Sequence, residues 1–226
     1  MSQQDTAHAW WSRLRHQGLL LSPVVMLERF PAAPEPTPIH VKEKLRAAHI
    51  RFVSTAEARP GEAQLEQSAI LAWTDALLEN YVGHVKTRMA NQHSIPDNLT
   101  AVVRIGTRSD TIRPHRVVFA DDGRKTPALL VMADTSHIVG RGRGRTAYSR
   151  FLELLRGTGH RLGLLTNGHQ FRLVYAGLDF ESWCEWEGDR WFDDGEGTEE
   201  LNGLRQLLSP DALKPAKEGT SGLLDA

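Results

Sequence analysis

The chain has 226 residues, of which 40% are hydrophobic and 24% charged, so it can bury a core and is neither disordered throughout nor fibrous. Its 27 Lys and Arg residues nearly balance 28 Asp and Glu residues, which excludes a globally basic nucleic-acid binder. No apolar run approaches the roughly 18–20 residues that span a bilayer, and the polar N-terminus does not resemble a signal peptide. The single Cys184 excludes a disulfide framework and a cysteine-cluster metal site. We expect a soluble, globular, cytoplasmic protein without a membrane partner.

The first forty residues predict an N-terminal helical arm followed by a linker. A helix over 6–17 is indicated by the apolar stripe of Ala9, Trp10 and Leu14, with Gly18 as its stop. The segment Pro31–Pro38 holds four prolines in eight residues, which is typical of a stiff, extended linker. We therefore divide the chain into an arm over 1–40, a domain over 41–208 and a terminal linker over 209–226.

Within the domain, helical and strand-like patterns follow one another. The predicted elements are a helix (61–85), three strands (99–105, 116–119, 127–132), a helix (146–156), two strands (161–167, 171–177), a strand pair (180–192) and a helix (199–208). The dipeptides Asp122-Gly123 and Asn167-Gly168 are strong hairpin signals, and Gly188-Asp189 is placed at the turn of the last pair. This order predicts an α+β (α/β-like) fold with a mixed β-sheet flanked by helices.

Charge is concentrated in two segments of opposite sign. Between Gly140 and Arg172 there are seven arginines and one acid, Glu153. The stretch Asp179–Glu200 instead holds ten acids and one base, Arg190. The near-zero total therefore hides a strong charge asymmetry.

The sharpest local feature is the segment 140–145, with the sequence GRGRGR. Guanidinium groups grip phosphates in bidentate fashion, and glycines let the backbone approach a phosphate chain closely. The N-terminal amides of the helix that begins at Thr146 would add to anion binding. The segment therefore predicts contact with DNA or phosphate through Arg141, Arg143 and Arg145. A solvated basic turn, or one that pairs with the acidic stretch 179–200, is the alternative.

Other catalytic signals are weak or missing. The sequence has no P-loop, no G-x-S-x-G elbow and no metal-binding histidine spacing. Cys184 lies in an aromatic-rich strand pattern, where a buried structural cysteine is the better interpretation.

Metal-dependent DNA cleavage requires acidic residues at the ends of adjacent strands, with a lysine nearby. The hairpin predicted over 116–132 offers such a place. However, His115 stands where the first Asp would be, and Met132 and Asp134 occupy the ends of the Glu-x-Lys position. Two or three of the acids Asp110, Asp121, Asp122 and Asp134 could bind Mg²⁺ in principle, although turn roles for Asp121 and Asp122 and a strand-end role for Asp134 are the stronger interpretation.

At this point two stretches resemble a known family. HIVGRGRGRTAYSRFLELLRGTG (137–159) and LGLLTNGHQFRLVYAG (162–177) are similar to the N-terminal region of large type IIG-like restriction–modification proteins. The relatives include the adenine methyltransferases of phage-defence systems, the DISARM type in particular. The opening HAWWSRLRHQGLLLSP (8–23) also resembles the start of such a methyltransferase. The resemblance covers about 8–208, and LLTNGHQFRLVY is its most specific piece.

The resemblance implies a restriction-endonuclease-like PD-(D/E)XK domain, followed by a helical connector and an adenine-N6 methyltransferase that uses S-adenosylmethionine. Because His115, Met132 and Asp134 replace the nuclease triad, it implies a degenerate nuclease whose catalysis is not carried over. Neither N-P-P-Y/F nor the methyltransferase cofactor loop occurs, so S-adenosylmethionine is expected in a C-terminal part beyond this chain and no cofactor within it. Residues 209–226 are then the start of the connector.

Three functions follow from these observations. The first is a module that binds duplex DNA, or positions it for the methyltransferase, through Arg141, Arg143, Arg145, Arg172 and Asn167. The second is a docking module in which the acidic stretch 179–200, with its three tryptophans, binds a defence-system subunit or covers the arginine segment in an autoinhibited state. The third is an active Mg²⁺-dependent endonuclease.

Overall fold

The computed structural model describes residues 8–58, 61–193 and 195–214. The helices are α1 (Ala9–Arg13), α2 (Pro23–Arg29), α3 (Ile39–Ala58), α4 (Ala63–Ala76), α5 (Ala147–Thr158) and α6 (Glu196–Leu207). The strands are β1 (Arg15–Gln17), β2 (Met89–Asn91), β3 (Ala101–Ile105), β4 (Arg108–Ile112), β5 (Arg116–Phe119), β6 (Pro127–Ala133), β7 (Leu162–Thr166), β8 (Gln170–Ala176) and β9 (Glu181–Glu187). Within these ranges no helix is both long and apolar enough to cross a membrane.

Seven of the strands form one mixed sheet in the order β1-β9-β8-β7-β6-β5-β2. The pair β6–β7 is parallel, and the chain crosses from one to the other through α5. The remaining neighbours are antiparallel. Strands β3 and β4 form a separate two-stranded ribbon. The predicted mixed sheet flanked by helices is confirmed.

A hydrophobic layer lies on each face of the sheet. On one face α5 packs its Phe151, Leu154 and Leu155 against apolar residues of the central strands, such as Leu130 and Leu165. On the other face lie α1, α3, α4 and α6, and the largest fully buried side chains there are Trp73, Trp186 and Trp191. Burial of this much apolar surface on both faces is the main source of the fold's stability.

Short-range signals predicted the central part of the sheet correctly. Asp122-Gly123 lies in the connection between β5 and β6, and Asn167-Gly168 joins β7 to β8. The Thr146 hydroxyl accepts a hydrogen bond from the Ser149 amide and caps α5, because the first amides of a helix lack partners within it.

Two predictions were wrong, and one long helix was missed. The first helix ends at Arg13, and Arg15–Gln17 is an edge strand that pairs with β9 instead of a helical turn. The segment 180–192 is one strand followed by the 3₁₀ turn Gly188–Phe192, because Trp191 turns into the core. The longest helix is α3, which was not predicted, because its 20 residues bury little beyond Leu45, Ala48 and Phe52.

The N-terminal arm packs on the domain. Trp10 and Met26 are buried in the same hydrophobic core as the apolar residues of α6, and backbone carbonyls of the Pro-rich segment accept hydrogen bonds from α6 side chains. At the other end, Leu213 is buried in the same core. Residues 215–226, assigned above to the terminal linker, lie outside the described residues.

Candidate nucleic-acid interface

A cleft of about 460 Å³ opens between the β1–β9–β8 end of the sheet and the loop that follows β6. Arg15 on β1 and Arg172 on β8 stand opposite Glu185 of β9, which lies between them. Directly opposed residues of antiparallel strands point to the same face of the sheet. The two guanidinium groups and the carboxylate, one from each of three adjacent strands, therefore lie side by side on that face. Trp183 of β9 and Arg141 of the loop also line the cleft.

A buried carboxylate organises the floor of this cleft. The Glu185 side chain has no exposed surface and accepts hydrogen bonds from Arg172, whose Nε and Nη2 atoms each lie 2.7 Å from Oε2. Arg15, about half exposed, donates to the other oxygen. Only 11% of the Arg172 side chain is exposed, and its guanidinium lies 4.1 Å from the ring centre of Trp183 and 5.4 Å from that of Tyr148. Arg172 is therefore fixed in one orientation by an ion pair and two aromatic rings.

The loop at 134–140 is fastened to the sheet by polar side chains. The buried Asp134 accepts hydrogen bonds from the amides of Ser136 (2.9 Å) and Gly140 (2.8 Å). Asn167 donates to two carbonyl groups of the loop at 3.1 Å, and Gln170 accepts from a loop amide at 2.8 Å. In this structure Asn167 and Asp134 thus hold the loop that forms one wall of the cleft.

Gly140 permits the close approach of this loop to Arg172. It has a φ of +74°, and a Cβ atom there would lie 2.9 Å from both Arg172 Nη1 and the Tyr148 Cβ. A side chain at this position would therefore be strained in its backbone and would collide with the cleft.

The three arginines of the GRGRGR segment have different surroundings. Arg141 and Arg143 are exposed, and neither pairs with a carboxylate among the residues that the structure describes. Arg145 instead donates to Glu153 and to Asp110. The phosphate contact expected of all three is therefore open to Arg141 and Arg143, whereas Arg145 ties the loop to α5 and to the β3–β4 ribbon.

The residues at the positions of a nuclease triad make structural contacts. His115 Nδ1 accepts a hydrogen bond from the Ala133 amide at 2.9 Å, and Nε2 lies 3.0 Å from the Gln67 side-chain amide. Burial, with the charges of nearby arginines, lowers the pKa of His115 to about 4, so the ring is neutral at pH 7. Met132 is buried in the layer beneath α5. Asp134 is engaged by the loop amides.

The acids considered for Mg²⁺ are not brought together. Asp121 lies in the turn before β6 and Asp134 directly after it, and a strand of seven residues separates its ends by about 20 Å. Asp110 is engaged by Arg145. Among the described residues there is no group of three or more His, Cys, Asp or Glu side chains arranged to hold a metal ion.

The tryptophans of the acidic stretch 179–200 mostly belong to the core. Trp186 and Trp191 are fully buried, and Trp183 lines the cleft. Several of the acids have cationic partners, as for Glu181 with Arg156. In the described part of the stretch, no acid pairs with Arg141 or Arg143. The stretch therefore does not cover the exposed arginines in this structure.

Sequence reasoning missed two members of the cleft, Arg15 and Glu185, and considered Trp183 only as part of a docking surface. Arg172 carried a usable signal as the one charge of a largely apolar strand, whereas Glu185 did not stand out, because β9 also carries Glu181 and Glu187. Arg15 carried no such signal, since a strand of three residues is too short to show alternation. Comparison of the chain with protein-family models, curated proteins and solved structures gives no match.

Proposed function

We propose that this chain is a catalytically degenerate, nuclease-like module that binds duplex DNA in the cytoplasm and positions it for a methyltransferase in restriction or phage defence. The observation that carries DNA binding is the cleft in which Arg15, Arg141 and Arg172 converge. The defence context, the methyltransferase and its S-adenosylmethionine depend on the resemblance of 8–208 stated above.

The charge of the cleft favours a polyanion. Three arginines line the cleft and Arg143 follows two residues along the loop, whereas the carboxylates that pair with the lining arginines are those of Glu185 and Glu187. Because Arg141 and Arg143 are exposed and free of described carboxylates, a phosphate that binds them breaks no ion pair there.

The degenerate character of the site is supported by the same contacts. A neutral His115 brings no negative charge to the place of the first nuclease acid. Both carboxylate oxygens of Asp134 accept hydrogen bonds from backbone amides, which leaves them poorly placed to hold a cation. Phosphate binding without cleavage is the chemistry that these residues support best.

Fluorescence anisotropy with the full chain and a labelled duplex of roughly 24 base pairs, titrated over salt, tests the proposal. We expect micromolar or tighter binding with a steep salt dependence. If Arg141 and Arg143 each neutralise one phosphate, Arg141→Ala/Arg143→Ala reduces the log–log slope by about 1.8 and the affinity at 0.1 M salt about 60-fold.

The matched control is Arg46→Ala/Arg51→Ala, which removes two exposed arginines of α3 on the opposite side of the sheet. It should leave the slope unchanged. No binding by the wild-type chain at low salt would contradict the proposal, as would an Arg141→Ala/Arg143→Ala variant with the wild-type slope.

Protein docking is the second candidate, favoured by the turn between β8 and β9. Leu178 and Phe180 are exposed there, beside Asp179 at the start of the acidic stretch. A photo-crosslinking residue at position 178 should capture a subunit of the defence complex, whereas one at the similarly exposed Val24 should not. Equal capture at both positions would contradict docking through this turn.

A further inference from the structure

The β3–β4 ribbon stands apart from the main sheet and presents an unpartnered face. Its inner face is anchored, since Ala101 and Ile112 are buried and Val103 packs beside α5. The ribbon is antiparallel and has no third strand among the described residues.

The outer face of the ribbon has four exposed side chains in two adjacent rows. Val102 stands opposite Thr111, and Arg104 stands opposite Ser109. Val102 is 67% exposed, although a branched apolar residue on a strand normally packs against a neighbour. These four are the side-chain types that contact base edges in DNA: arginine binds guanine, hydroxyl groups bind several bases, and an apolar group contacts the thymine methyl.

The ribbon is joined to the proposed phosphate-binding loop. Asp110 of β4 accepts a hydrogen bond from Arg145 and lies 3.7 Å from Arg150 Nε. The base of the ribbon is therefore joined to the last residue of the GRGRGR segment, two residues from Arg143.

Charge at the ribbon favours a polyanionic partner over an apolar one. Arg104 and Arg108 are exposed on opposite sides of the turn, and in the described part of the chain neither pairs with a carboxylate. A duplex also supplies a space of the right size, because the major groove of B-DNA is about 12 Å wide and admits a two-stranded β-ribbon.

We propose that the outer face of the β3–β4 ribbon enters the major groove of duplex DNA and contacts base edges, while Arg141 and Arg143 hold the adjacent phosphates. This inference rests on the proposed function and adds sequence-dependent recognition to it. Duplex RNA is excluded as an equal ligand, because the major groove of an A-form helix is too narrow for side chains to read.

Selection of duplexes by the full chain from a pool with a randomised centre tests the inference. We expect an enriched sequence with a guanine whose N7 methylation interferes with binding. Arg104→Ala should weaken binding to the selected duplex roughly 5- to 150-fold and remove the preference at that guanine. Arg104→Lys, which keeps the charge but loses the bidentate fork, should lose the preference as well.

Arg141→Ala/Arg143→Ala, in contrast, should weaken binding to all sequences equally, and Arg51→Ala should change nothing. Because Arg104 is exposed, its variants should keep the wild-type Tm, which separates lost contact from lost folding. A pool that stays random while the chain binds with a steep salt slope would overturn the ribbon inference and leave the proposed function standing. Equal competition by duplex RNA would also overturn it. No binding to any duplex would overturn both.

Discussion

Replacing Glu185 by Gln tests whether one buried carboxylate holds the three strands of the cleft together. Glu185 is completely buried and accepts hydrogen bonds from Arg172 and from Arg15. Gln has nearly the same size but no charge. Arg15 can turn its half-exposed side chain to water, whereas Arg172, 11% exposed, remains a buried cation without its partner.

Removal of one partner of a buried ion pair costs about 3–5 kcal/mol. We expect a value of about 3 kcal/mol here, because the Gln oxygen still accepts from Arg172 and the Trp183 ring stabilises the guanidinium by about 1 kcal/mol. For a chain of this length the melting temperature should fall by roughly 6–12 °C. Thermal and urea unfolding followed by circular dichroism measure both quantities.

Glu187→Gln is the matched control on the same strand. Its side chain is 47% exposed and lies 3.6 Å from Arg15, so its loss should cost less than about 1 kcal/mol. Equal destabilisation by the two variants would refute the reasoning. The double variant Arg172→Met/Glu185→Met should recover stability relative to Glu185→Gln, because it leaves no buried charge unpaired.

Three further predictions concern the surroundings of the cleft. Arg145→Ala removes the cation that pairs with both Asp110 and Glu153, so it should lower the free energy of unfolding, measured in urea, by about 1 kcal/mol. It should leave the salt slope of DNA binding unchanged. The pKa of His115 is about 4 in the folded chain and 6.5 in the unfolded chain, so the unfolded chain takes up a proton first as the pH falls and the wild type loses stability. The stability of His115→Gln relative to wild type should therefore rise by up to about 2 kcal/mol from pH 7.5 to pH 5, and an equal difference at both pH values would contradict this. Gly140→Ala should lower Tm more than Gly144→Ala, because both have positive φ but only Gly140 faces Arg172, and equal losses would rule out that contact.

The central strands could be predicted because their signals are local. An Asp-Gly or Asn-Gly pair between two apolar runs specifies a hairpin without reference to the rest of the chain. Thr146 before the apolar stripe of α5 does the same for a helix start, and the helix begins directly after it. The mixed sheet followed from the order of these elements.

The cleft could not be predicted because its partners are far apart in sequence. Arg145 was expected to contact phosphate, but Asp110, 35 residues earlier, and Glu153 bind it once the ribbon packs against α5. Glu185 and Arg15 are 170 residues apart and meet only because a three-residue edge strand completes the sheet. Which arginine remains exposed thus depends on how the elements pack against each other, and the spacing of residues along the chain carries no information about that packing.

Glu185→Gln should also change DNA binding, in the direction opposite to its effect on stability. The carboxylate now neutralises one of the two arginines at the floor of the cleft, so its removal raises the local charge by one. If the released Arg15 neutralises one additional phosphate, the log–log salt slope steepens by about 0.9 and the affinity at 0.1 M salt rises about 8-fold. The measurement is made well below the lowered Tm, where the variant is folded. Lower affinity under these conditions would contradict this prediction. It would mean that DNA binding depends more on the orientation that Glu185 gives to Arg172 than on the net charge of the cleft.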